Sequence, residues 1–145
     1  MNGRRGFTLV EVMIVVVIIA ILAAVVLPQF KDSTKDSKAA TVKFNLRMLR
    51  EQIELFRNHH TGRLPAELDD LAEKTNSNGV VGTTSAFSYG PYVMALPENP
   101  FTGSVVVRAS AANPPTAASG ADDAGWLYHA ATGGVWIDHP DYYTE

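Results

Sequence analysis

Residues 6–28 read GFTLVEVMIVVVIIAILAAVVLP, and from Phe7 to Leu27 only Thr8 and Glu11 are polar. Those 21 residues make an α-helix about 31 Å long, the thickness of a bilayer's hydrocarbon core. The run is rich in Val and Ile. A strand of that length would still leave backbone groups unpaired in lipid, so the run predicts a membrane-spanning helix. A cleavable secretory signal carries a shorter apolar region and a small-residue cleavage site, whereas this run ends in AAVVLPQF without an Ala-x-Ala. Arg4 and Arg5 precede the run and predict that this end stays in the cytoplasm. Lys31, Lys35 and Lys38 lie beyond the other end, partly offset by Asp32 and Asp36. Pro28, which lacks an N–H and crowds the preceding turn, predicts a kink at the far end. An acid deep in a membrane helix costs about 2.5–3.5 kcal/mol, less near an end. Glu11 therefore needs a use.

The rest of the 145-residue chain has the composition of one small globular domain. Its net charge of −3 leaves no footprint for nucleic acid. Between Lys31 and Arg63 there are eight Lys or Arg against four acids, whereas after Lys74 the one cation, Arg108, faces six acids. A basic stem and an acidic head can attract one another between copies, or both can be solvated faces. The absence of cysteine excludes disulfides, thiolate zinc sites and Cys nucleophiles.

Arg4-Arg5-Gly6-Phe7-Thr8-Leu9-Val10-Glu11 resembles the processing site of type IV pilins and of type II secretion pseudopilins. The resemblance implies a leader over 1–6 and a prepilin peptidase that cuts between Gly6 and Phe7. It also implies N-methylation at Phe7, a filament-core helix over 7–30, and Pro28 as the family's proline. Glu11 is then the fifth mature residue. A carboxylate among packed apolar helices interacts strongly with a neighbour's Phe7 amine, and leaving either charge alone there is costly. Glu11 would thus set the axial register of a homopolymer; alternatively its side chain merely reaches up to the headgroups.

Beyond Pro28, Val42, Leu46, Leu49, Ile53 and Phe56 form one apolar stripe, the core-facing side of a stem helix packed on a sheet. Residues 31–38 are polar all round and predict a solvated or weak helical turn. Thr61-Gly62 ends the stem. The pair His59-His60 points two ways and reads as two exposed side chains at a fraying end rather than a metal site.

Arg63-Leu64-Pro65 opens a second short helix with Leu64, Leu68 and Leu71 on one side, followed by a loop over 75–90. Strands are predicted at Tyr92–Leu96, Ser104–Ala109, Trp126–His129 and Val135–Asp138, with Thr132-Gly133-Gly134 as a hairpin turn. Trp126, Tyr128 and Trp136 read as sheet residues; a stacking platform would need basic companions. Thr61–Pro65 and Leu96-Pro97-Glu98-Asn99-Pro100-Phe101 are similar to turns of the type II secretion major, G-type pseudopilin. That resemblance raises Ca²⁺ at Asp122 and Asp123, although calcium takes six to eight oxygens. His129, Asp138, His139 and Asp141 fall close in sequence, but Asp138 and His139 point to opposite faces of a strand, and surface solvation is expected. No phosphate loop, H-E-x-x-H or G-x-S-x-G is present, and no enzyme is expected.

The expected protein is α+β: a long N-terminal helix, half transmembrane and half amphipathic, packed on a small antiparallel sheet in a stem-and-head unit over 31–145. The resemblance implies a structural subunit of a pilus-like filament, most similar to a secretion pseudopilin. Its partners would be its own copies, other pilin-like subunits, prepilin peptidase, an inner-membrane assembly platform and lipid, with no nucleic acid. It would sit in a bacterial inner membrane with its head in the periplasm before joining a filament. A pilus or competence subunit and a tethered periplasmic module that never polymerises remain open.

Overall fold

The computed structural model describes residues 6–121 and 123–145, with the backbone alone for 27–32. One helix, α1 (Leu9–His59), is followed by a 3-10 helix (Leu68–Ala72) and three strands: β1 (Val106–Ala109), β2 (Ala124–His129) and β3 (Gly134–Ile137). The chain divides into two compact units, Met1–Ser37 and Lys38–Glu145.

In the first unit, Leu9–Val26 has a mean hydropathy of 3.3, and none of it is buried. It is long and apolar enough to cross a membrane. The backbone stays helical across position 28 and through the polar stretch 31–38, which is thus more than a weak turn. The kink expected at Pro28 rests on a side chain outside the described residues.

The second unit carries the core. Val42, Leu46, Leu49, Ile53 and Phe56 are each no more than 3% exposed, as their 4-3-4-3 spacing requires. They meet Leu68 and Leu71 of the 3-10 helix and Trp126, Tyr128, Val135 and Ile137 of the sheet. The stem ends as expected, with Gly62 at φ 89° and its N–H donating to the Arg57 carbonyl at 2.8 Å.

The class is α+β, but the sheet is mixed rather than wholly antiparallel. Its order is β1-β2-β3; β2 pairs antiparallel with β3 through Trp126↔Ile137, while β1 pairs parallel with β2. The long connection over 110–123 returns the chain for a parallel pairing that no hairpin turn could make. The tight turn at Thr132-Gly133-Gly134 joins β2 to β3, with Gly133 at φ 71°.

Tyr92–Leu96 is not a strand. Pro91 and Pro97 bracket it and offer no N–H to a ladder, and the Tyr92 and Val93 amides both donate to the Leu71 carbonyl. The segment after it is latched beneath β2. Trp126 Nε1 donates to the Pro97 carbonyl at 2.8 Å, and Asn99, fully buried, donates through Nδ2 to Gly125 O at 3.0 Å.

His60 is fully buried, contrary to the exposed pair expected, whereas His59 is exposed. The ring of His60 packs tilted against Phe56, centroids 4.0 Å apart. Its Nδ1 lies 2.8 Å from the Phe56 carbonyl, which can only accept, so Nδ1 carries the hydrogen. In the neutral ring Nε2 then accepts from the Thr75 hydroxyl at 3.0 Å. Both ring nitrogens are satisfied, which is what lets an imidazole sit in the core.

The Tyr128 hydroxyl donates to the Pro65 carbonyl at 2.8 Å. Burial, and secondarily the charge of Asp70, pushes its pKa up from the ordinary value. The folded state therefore holds the neutral phenol. That contribution is complete below the unfolded pKa of about 10 and is lost as pH rises beyond it. Thermal unfolding followed by circular dichroism should show stability falling above about pH 10. Tyr128→Phe should flatten that fall, with a remainder from Tyr92, also raised by burial. At neutral pH the same change should cost about 1–3 kcal/mol, because the Pro65 carbonyl loses its donor.

Candidate assembly site

The residues singled out by sequence cluster at the start of α1. Thr8 is the last residue before the helix and Glu11 lies in its first turn. Glu11 Oε2 accepts from the Thr8 N–H at 2.8 Å and from the Thr8 hydroxyl at 2.8 Å. In return the Glu11 N–H donates to Thr8 Oγ1 at 3.2 Å. This is a reciprocal capping box, Thr at the N-cap and Glu three residues on. It satisfies donors that a helix start leaves orphaned and places a negative charge at the positive end of the dipole. Within a single chain, Glu11 thus has a local partner. Sequence reasoning missed Thr8, although T-x-x-E ahead of an apolar run is itself the signal.

Phe7, immediately before the cap, is 88% exposed. At Gly6 an added Cβ would meet nothing within 4 Å, so nothing in the fold requires glycine there. Any demand for glycine at that position comes from outside the described chain. Arg4 and Arg5 lie outside the described residues.

The other candidates do not join this site. Asp122 lies outside the described residues. Asp123 Oδ1 already accepts from Arg108 Nη2 at 2.8 Å, an exposed pair. Asp138 is 4% exposed rather than solvated as expected; its carboxylate accepts from the Ser119 N–H at 2.8 Å and from the Ser119 hydroxyl. Its carboxylate is tied to the loop that crosses back toward β2. His139 lies partly exposed, its ring tilted against Phe101 with centroids 4.6 Å apart. Among the described residues no three of His, Cys, Asp and Glu converge to hold a metal.

The family model for the prokaryotic N-terminal methylation motif matches residues 1–27, the cap, the glycine and the span together. The chain is type IV pilin-like. It is 48% identical over 46 residues to the type IV major alpha-pilin of Moraxella bovis, covering 32% of this chain and 29% of that one. It is 37% identical over 105 residues to a fimbrial protein of Moraxella nonliquefaciens, covering 70% of this chain and 60% of that one. Type II secretion system core protein G of Klebsiella pneumoniae is 26% identical over 101 residues, covering 70% of this chain and 71% of that one. The pilin-like chain thus spans less than two thirds of the length of both Moraxella proteins. No solved structure matches it significantly.

Proposed function

We propose that this chain is a structural subunit of a type IV pilus-like filament, with no catalytic role and no cofactor. The observation that carries the reading is the site at the start of α1. A glycine that the fold does not need precedes an exposed Phe7, a capped acid and a wholly unburied 18-residue apolar span. A helix so exposed needs lipid or other helices around it. In the proposed sequence the chain waits in an inner membrane, leader inside and head in the periplasm. A prepilin peptidase hydrolyses the Gly6–Phe7 bond, and the freed Phe7 amine is methylated. An assembly platform then moves the helix from lipid into a bundle of like helices. There Glu11 leaves Thr8 for the ammonium of a neighbour's Phe7.

Within that class we favour a secretion pseudopilin, because the match to core protein G extends over 101 residues and covers 71% of that protein. A surface pilus is the second reading, supported by the 37% identity to the Moraxella nonliquefaciens fimbrial protein. DNA uptake by direct contact is disfavoured by the acidic head.

In cells carrying a prepilin peptidase, mass spectrometry should find the mature chain beginning at N-methylated Phe7, and sheared fractions should contain fibres. Gly6→Val should fold unchanged yet keep residues 1–6. A wild-type chain that retains its leader and yields no fibres would overturn the reading. Loss of exported enzymes on deletion supports the pseudopilin reading; loss of surface fibres with secretion intact supports the pilus.

A further inference from the structure

Two features of the second unit serve nothing described so far. One is a second apolar stripe on α1. Phe44, Met48 and Leu55 are spaced by 4 and 7 residues and fall on one side of the helix, roughly opposite the buried stripe. Phe44 is 71% exposed and Leu55 41%. Beside Phe44 stands Arg47, its side chain 82% exposed. Arg47 pairs with Glu51 at 3.0 Å, but so exposed a pair holds it weakly.

The other is a cleft of about 470 Å³ between the 3-10 helix and the sheet. Leu68, Val107, Tyr128 and His129 line it, together with Glu67 and Asp69. Both acids are exposed, and among the described residues no ion pair reaches either. The cleft thus sets apolar walls beside two carboxylates that no ion pair among the described residues neutralises. The stripe is an aromatic ring with an arginine beside it. The two are complementary in polarity and in charge.

We propose that the Glu67/Asp69 cleft receives Phe44 and Arg47 of a second copy of this chain. The proposal rests on the filament reading and deepens it by naming the contact between heads and stems. The donor and acceptor surfaces are different parts of one chain, so the contact is heterologous. A heterologous contact leaves a free donor and a free acceptor after each addition and propagates into an open helix, unless its rotation happens to close a ring. It adds a specific, charge-selected joint to the less selective packing of apolar spans.

The absence of cysteine makes the test direct. The full chain carrying Phe44→Cys and Asp69→Cys is expressed in cells that assemble it, and sheared fibres are oxidised. The double variant should give dimers and a ladder of higher multimers on non-reducing gels, and either single variant monomers. Asp69→Lys should cut fibre yield at least about tenfold while the head's melting temperature holds, and adding Arg47→Glu should restore much of it. Fibres in which the double variant stays monomeric overturn the proposal but not the filament. So does crosslinking of position 69 to a different protein, or a dimer from a single variant, which marks a like-to-like contact. A wild-type chain that makes no fibres takes both down.

Discussion

Glu11→Ala is expected to leave the cut between Gly6 and Phe7 intact and to reduce fibres to near the limit of detection. Two losses add. In the single chain, the capping box with Thr8 disappears, at about 0.5–2 kcal/mol for the helix start. In the fibre, a neighbour's ammonium is left without its partner among apolar helices, at about 3–5 kcal/mol per subunit. The second term dominates, and Glu11→Gln isolates it, because an amide oxygen can still accept from Thr8 but carries no charge. Glu11→Gln should therefore assemble nearly as poorly as Glu11→Ala, while Thr8→Val, which loses hydroxyl contacts alone, should assemble far better. The checks are leader removal by mass and fibre yield after shearing. Normal yield from Glu11→Gln would mean that the carboxylate works only as a cap.

Trp126→Ala should be the most damaging single change in the head. The indole is fully buried on the central strand and its Nε1 holds the Pro97 carbonyl at 2.8 Å. Removing it opens a large cavity and orphans a buried acceptor, at a cost of about 3–5 kcal/mol. For a unit the size of Lys38–Glu145, that is a fall in melting temperature of more than about 10 °C. Met94→Ala, at a side chain 100% exposed, should leave it unchanged. A similar small shift for both would place the core elsewhere than on β2.

What could be read in advance followed from how local its cause is. The stem's buried face needed only the period of Val42, Leu46, Leu49, Ile53 and Phe56, and the β2–β3 hairpin only Gly133 between two β-rich runs. The span needed only length and hydropathy. The misreadings were residues with at least one partner outside their own element. His60 is polar by type, yet Thr75 and the Phe56 carbonyl satisfy both its nitrogens. Asp138 is buried because Ser119, on the preceding loop, supplies its donors. Tyr92–Leu96 has strand-like composition, but its amides find Leu71 rather than a ladder. The parallel pairing of β1 with β2 depends on the path of a long loop, which no local pattern encodes. At the candidate assembly site, the roles of Gly6, Phe7 and Glu11 came from the motif they sit in and stand as proposals. Thr8 was overlooked for the opposite reason: a local capping signal lay inside a motif being read for its intermolecular meaning.

The central claim is that copies of α1 pack side by side through the apolar span. Cysteine pairs, with one member on each of two opposite faces of α1 between Val12 and Val26, placed one pair at a time in this cysteine-free chain and followed by oxidation of intact fibres, test it most directly. The account predicts disulfide-linked ladders for the pairs whose faces and axial offset meet a neighbour and monomer for the rest, a pattern repeating with the helical period. Monomer from every pair, in fibres that contain the chain, would contradict it.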